Sequence, residues 1–202
     1  MSSPATPNPA PNPEEALQQF ETENAADIAA EGDKAFQMTD ATADEKAAPE
    51  AAVEPEQKER LSKLQKISRM TVAERVKLAV LGDKEDRMIL VRDGSKVVNG
   101  AVLASPKISD QEVETIAAMK NVQENVLRTL ARNRKFIKSY SVVRNLVNNP
   151  RCPLDISLAL MKNLLTPDLK VLSMNKNVPE TLKKLALKSY KDKTAPPGQK
   201  GG

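Results

Sequence analysis

The chain has 202 residues, 29% of them charged and 2% aromatic, with no histidine, no tryptophan, one cysteine and a formal charge of +4. That inventory argues against histidine-based acid–base chemistry, against histidine-containing metal sites and against Ser-His-Asp or Cys-His nucleophiles. It does not exclude every enzyme, because carboxylates and lysines can do chemistry alone.

The modest net charge conceals a division. Residues 1–57 carry thirteen acids against two lysines, Lys34 and Lys46, a balance of −11, whereas residues 58–202 balance at +15. The first stretch opens with Pro4, Pro7, Pro9, Pro11 and Pro13 and is rich in Ala, Glu and Thr. Such a composition buries too little apolar surface to offset the entropy of ordering, which predicts a disordered acidic arm over 1–57. Within it, Glu14, Glu15, Leu17, Phe20 and Ile28 have the makings of a short amphipathic stretch, and Phe36 and Met38 lie nearby. Residues 192–202 read as a flexible tail. The remaining 58–191 suffice for one folded domain. No basic-then-apolar leader and no apolar run of membrane-spanning length is present. Lone Cys152 provides neither a disulfide scaffold nor a multi-cysteine metal site. The expectation is a cytoplasmic protein, not inserted in a membrane and without a cofactor.

Between residues 58 and 191 the apolar spacing is helical. Met70, Val72, Val76, Leu78, Ala79 and Leu81 form one stretch, stopped at Gly82-Asp83. Met88, Ile89 and Leu90 end at Asp93-Gly94, and Val97, Val98, Ala101, Val102 and Leu103 end at Ser105-Pro106. Proline there lacks the N–H that a continuing helix needs. Ser109 with Glu112 has the spacing of a capping box, and Ile108 with Val113 that of a hydrophobic staple. Val113, Ile116, Ala117 and Met119 continue the stripe. Asn121 with Glu124 repeats the cap spacing before Val126, Leu127, Leu130 and Ala131. Ile137, Tyr140, Val143, Leu146 and Val147 mark a helix ending near Asn148-Asn149-Pro150. Pro153 suits a first helical position, and Thr166-Pro167 a cap and first turn. Asn177 with Glu180 gives the cap spacing once more, before Leu182, Leu185 and Leu187.

These helices resemble one another. EVETIAAMKNV (112–122) aligns with DLKVLSMNKNV (168–178) at an offset of 56, and QENVLRTLA continues into PETLKKLA with one deletion. Ser105-Pro106-Lys107 echoes Asn149-Pro150-Arg151 at an offset of 44. Short helices cannot bury their own apolar faces and need stacked neighbours. The predicted fold is all-α, an α-solenoid or compact helical-repeat domain, with a non-repetitive orthogonal bundle as the alternative.

The pieces LASPKISDQEVETIA (103–117), LVNNPRCPLDISLALM (146–161) and NKNVPETLKKLA (175–186) resemble HEAT-like short helical repeats. In style they are nearest the leucine-rich repeat variant family, over about residues 95–190. The resemblance implies that Asn149 terminates one helix and Pro153 starts the next. It also implies packing roles for Leu103, Val113, Ile116, Leu146, Ile156, Leu160, Leu182 and Leu185. Some members of that family bear a cysteine-rich iron–sulfur segment, which a chain with Cys152 alone does not match. Proteins built this way commonly bind other macromolecules.

The sharpest local feature is electrostatic. Between Glu124 and Asp155 there is no acid, while Arg128, Arg132, Arg134, Lys135, Lys138, Arg144 and Arg151 are all present. Arg128 and Arg132 are one helical turn apart, as are Arg134 and Lys138, and as are the aromatic candidates Phe136 and Tyr140. Three readings apply: an ordinary solvated face over a core containing Phe136 and Tyr140, a docking surface for an acidic protein segment, or a phosphate-backbone site for RNA or DNA. The shortage of aromatic residues weighs against single-strand stacking. The acidic arm is itself a candidate intramolecular occupant of this face. Asp83, Glu85 and Asp86 read as cap and surface, and Cys152 as a packed thiol rather than a nucleophile. The favoured function is a non-enzymatic protein-interaction module, with nucleic-acid binding or a structural subunit role as alternatives.

Overall fold

The computed structural model describes residues 12–32, 34–38 and 55–195. Among the described residues there are twelve α-helices and no strand ladder. The chain is an all-α helical-repeat protein. It divides into two compact units, one holding residues 12–37 and 55–108, the other residues 109–195. The expected single domain over 58–191 therefore has a boundary after Ile108.

The first unit begins earlier than composition suggests. Helices α1 (Pro13–Glu23) and α2 (Ala25–Ala30) lie inside the stretch expected to be disordered. Asn12 caps α1, Pro13 occupies its first turn, and the acids Glu14 and Glu15 face the positive end of the helix dipole. Leu17 is buried, and α1 packs on the helices Val72–Leu81 and Lys96–Ala104. Two apolar anchors thus outweigh a polar average: Leu17 goes under, and the Phe20 ring passes over Gly100. The disorder expected for 1–11 and 39–54 lies outside the described residues, as does that expected for 196–202.

Helix α3 (Pro55–Ser68) is followed by α4 (Val72–Leu81), α5 (Lys84–Leu90) and α6 (Lys96–Ala104). Thr71 and Glu74 close a capping box on α4, and Asp83 and Asp86 close another on α5. Gly82 separates these helices, since a Cβ there would lie 2.4 Å from the Leu78 carbonyl oxygen. Val72, Val76, Ala79, Val80, Leu90, Val98, Ala101 and Val102 are fully buried and make the core of the unit.

The second unit contains α7 (Asp110–Ala118), α8 (Glu124–Arg132), a 3-10 turn (Phe136–Lys138), α9 (Tyr140–Asn148), α10 (Leu154–Met161), α11 (Thr166–Met174) and α12 (Glu180–Thr194). These are three helix pairs, α7/α8, α9/α10 and α11/α12. Their first helices, α7, α9 and α11, have nine residues each and end at Met119, Asn149 and Asn175. Each is followed by the same turn, reaching the next helix cap at Gln123, Pro153 and Pro179. The fourth residue of every turn points inward: Val122, Cys152 and Val178 are all buried.

The turns are tied across the pairs. Asn149 donates through Nδ2 to the carbonyls of Ala117 and Met119 (2.8 Å each), and its Oδ1 accepts from Arg151 N–H at 2.9 Å. Asn175 donates to Asn148 Oδ1 and accepts from Asn177 N–H. Orphan carbonyls at one helix end are thereby satisfied by the next pair. The offset of 56 spans two pairs, from Met119 to Asn175, and α9/α10 is the intervening copy.

Several local expectations are corrected. Asn121 and Asn177 do not cap: the N-caps are Gln123 and Pro179, neither with a side-chain cap bond. Asn177 spends its N–H on the Asx turn instead. Thr166 is already helical, with Leu165 at the cap. Leu185 is 38% exposed rather than packed. The Ser109–Glu112 capping box is present, and Ile108 and Val113 are both buried. Helix α12 carries order to Thr194, past the expected start of the tail at 192.

Candidate functional site

The seven basic residues singled out by sequence separate into two groups. Arg128 is spanned by carboxylates, its Nε 2.8 Å from Glu124 on its own helix and its Nη1 3.1 Å from Asp155 on α10. Glu124 first, then Asp155, hold this guanidinium more firmly protonated. Arg144 on α9 reaches Asp168 on α11 at 3.1 Å. These two are struts between helix pairs. Arg151 is exposed on the turn after Asn149.

Arg132, Arg134, Lys135 and Lys138 are different. All four are exposed, and none is ion-paired among the described residues. They do not share a helical face as the spacing of Arg134 and Lys138 suggested, because α8 stops at Arg132. Asn133 turns the chain, its Oδ1 accepting from Lys135 N–H at 2.9 Å and its carbonyl from Phe136 N–H at 3.1 Å. The cations therefore radiate from a tight knuckle.

The aromatic pair is also divided. Phe136 is 4% exposed and anchors the knuckle from beneath, so the expected aromatic contact is corrected for this residue. Its ring fills the inward position that Val and Cys hold in the other turns and offers no face for stacking. Tyr140 is 36% exposed, yet its hydroxyl is engaged: it donates to Asp168 and accepts from Leu165 N–H at 3.1 Å. Burial, then the Asp168 carboxylate, pushes the phenol pKa up.

The remaining chemical candidates have structural duties. Asp83 and Glu85 both bind Lys63 at 2.7 Å, which with the Asp86 N–H holds the Asp83 carboxyl below its usual range. Burial pushes the Cys152 thiol up, keeping it protonated at neutral pH, and its equivalence to Val122 and Val178 explains why it is there. An open depression of about 360 Å³ in the first unit is lined by Ser62, Gln65, Lys66, Arg69, Met70 and Glu74. Among the described residues, no Cys, Asp and Glu group is arranged to hold a metal ion, and no helix is long and apolar enough to cross a membrane.

Sequence reading missed one cluster. Arg75 has no exposed surface; it binds Asp93 at 2.8 Å, donates to the Lys34 carbonyl and lies with its guanidinium 5.8 Å from the Phe36 ring centroid. Gly94 N–H donates to the Gln37 carbonyl at 2.7 Å, and Lys34 Nζ to the Gly94 carbonyl at 3.1 Å. Residues 34–37 thus form a strap over α4. The only signal was an arginine on the apolar stripe of Val72, Val76 and Ala79.

No family model, curated protein or solved structure matches the chain.

Proposed function

We propose that this protein is a non-enzymatic, HEAT-like helical-repeat adaptor of the cytoplasm, and that its second unit docks an acidic protein segment on the knuckle at 132–138. The observation that carries this reading is the group of four exposed cations, Arg132, Arg134, Lys135 and Lys138, held on a turn with no carboxylate of its own. The contrast with Arg128 and Arg144 matters. Where this unit needs an arginine for cohesion it supplies an acid partner, and at the knuckle it supplies none.

The knuckle is also an insertion in the repeat. Seven residues, 133–139, join α8 to α9, while four, 162–165, join α10 to α11. Insertions in helical repeats project as loops and are free to carry recognition. Arginines there offer forked hydrogen bonds to carboxylates, and clustered charge accelerates encounter. Burial of Phe136 favours an acidic protein over single-stranded nucleic acid, which needs aromatic faces for its bases.

The test is fluorescence anisotropy with a labelled Glu/Asp-rich peptide and a single-stranded RNA of equal length and charge. The expected result is tighter binding of the peptide, weakened at least about tenfold by Arg132→Ala, Arg134→Ala, Lys135→Ala and Lys138→Ala together. A chain with Lys184→Ala and Lys188→Ala on α12 serves as the charge control. Equal loss in the control, or preference for RNA with a steep salt dependence, would overturn the assignment.

A further inference from the structure

The three first helices of the second unit can be compared position by position from their common C-terminal turn. The N-cap is Ser109 in α7, Ser139 in α9 and Leu165 in α11. Two residues on stand Gln111, Ser141 and Pro167; four residues before the C-cap stand Thr115, Asn145 and Val171; one before it stand Ala118, Asn148 and Met174. The first two helices carry polar or small side chains at all four positions. The third carries apolar ones at all four. Leu165 is 59% exposed, Val171 50% and Met174 63%.

In α9 these positions serve the stacking of helices, Ser139 and Asn145 donating to Glu114 on α7 and Asn148 accepting from Asn175, whereas in α11 they stay exposed. The core side of α11 is already supplied by Leu169 and Leu172, both fully buried. A leucine at the N-cap forgoes the side-chain bond that Ser109 accepts from the Glu112 N–H in α7, at a cost to helix stability, although Ser139 makes no such bond in α9. Pro167, Val171 and Met174 recur at spacings of four and three, which places them on one face, and Leu165 to Met174 spans about 13 Å of helix. The stripe begins beside the knuckle, because Tyr140 follows the 3-10 turn after Ser139 alone and its hydroxyl accepts from Leu165 N–H.

The charge around the stripe selects the occupant. Lys162, Lys170 and Lys176 are exposed near it, and Lys138 lies two residues before Tyr140. The one acid of the segment, Asp168, is half-buried and taken up by Arg144 and Tyr140. A second copy would bring a like-charged surface, whereas an acidic amphipathic helix satisfies both parts. We infer that the partner docks as such a helix, its apolar residues on Leu165, Val171 and Met174 and its carboxylates toward Lys170, Lys176 and the knuckle, because the third repeat alone places exposed apolar side chains at these positions. The inference rests on the docking reading and adds to it the conformation and the apolar anchor of the partner.

The test uses the full chain and two labelled peptides of about 18 residues with identical Leu, Glu and Ala content. In one peptide the leucines follow i, i+3, i+4, i+7 spacing; in the other they are spread around the helix. The striped peptide is expected to bind at least about tenfold more tightly, as burial of one or two large apolar side chains requires. The variant Leu165→Ser, Val171→Asn, Met174→Asn gives α11 the residues of α9 and is expected to abolish that preference with unchanged helicity. Should that variant lose helicity, Leu165→Ala with Val171→Ala asks the same question. Equal affinity for the two peptides, both lost when the four knuckle cations are replaced by alanine, overturns the stripe and leaves the docking reading standing. Binding of neither peptide overturns both. A dimer by light scattering that the α11 variant converts to monomer also overturns it, assigning the stripe to a second copy.

Discussion

Replacement of Asp93 by asparagine isolates the most consequential buried charge in the first unit. The side chains of Arg75 and Asp93 are 0% and 1% exposed, and Arg75 Nε has no hydrogen-bond partner among the described residues. Asparagine keeps Oδ1 for the Ser95 N–H, now 2.8 Å away, but sets an amide against the guanidinium that Oδ2 receives. Arginine cannot shed its proton, so the cation stays charged in a dry site. Breaking a buried pair this way costs about 3–5 kcal/mol. At about 1.4 kcal/mol per decade that is a change of two to three and a half decades in the unfolding constant.

The opposite deletion behaves differently. Burial already pushes the Asp93 carboxyl up, against the Ser95 N–H and the Arg75 charge. With Arg75→Met the carboxyl escapes its penalty by taking a proton, which an arginine cannot do. Its folded-state pKa then lies above the unfolded value, so the variant is most stable at low pH and loses stability as pH rises through that folded value. Urea denaturation followed by far-UV circular dichroism at several pH values gives both numbers, and hydrogen exchange at the Gly94 amide reports the strap. The reasoning fails if Asp93→Asn costs under about 1 kcal/mol, or if Arg75→Met is the more damaging of the two at acid pH.

Four further outcomes follow from local geometry. Gly82→Ala drives a Cβ against the Leu78 carbonyl oxygen and should cost about 1–3 kcal/mol in chemical denaturation. Asn149→Ala strips two carbonyls of a donor and one N–H of an acceptor at a buried turn, and should cost about 2–3 kcal/mol by the same measurement. Leu165→Ser gives α11 a hydroxyl at the position from which Ser109 caps α7 and should raise thermal stability, by about 1 kcal/mol on the usual scale of caps. Asp83 is held low chiefly by Lys63, so its contribution is complete above the ordinary carboxylate range and is lost as pH falls through the folded value; Lys63→Met should flatten the acid limb of a stability–pH curve.

The helix sequence was legible because its punctuation is local. Ser109 with Glu112, Gly82-Asp83 and the Ser105-Pro106 stop each act within one turn of chain. What was not legible depends on partners far along the sequence. Asn121 and Asn177 have the spacing of caps, but one lies in a shared interhelical turn and the other gives its N–H to Asn175, and Gln123 and Pro179, two residues further on, take the cap position. Arg75 reads as a surface residue until Asp93, Lys34 and Phe36 close around it. Order in α1 escaped a compositional argument because two side chains, Leu17 and Phe20, set its docking. The basic candidates were found as a run, yet a run cannot say that Arg128 and Arg144 meet acids on the next helix pair while the knuckle cations meet none.

The unequal spacing of the helix pairs carries information of its own. From Met119 to Asn149 is thirty residues and from Asn149 to Asn175 twenty-six. The excess is three residues in the loop that forms the knuckle and one at the end of α8. A second departure from the repeat, serine to leucine at the cap of α11 with apolar residues behind it, falls next to the first, across the bond from Leu165 N–H to the Tyr140 hydroxyl. Each departure works against simple stability, one by exposing four like charges on a short turn and the other by giving up a cap and placing apolar surface in water. Selection for folding alone would be expected to remove both. Their adjacency is what joins the knuckle and the stripe in one proposed docking surface, which a polar-faced repeat with a shorter loop would not offer.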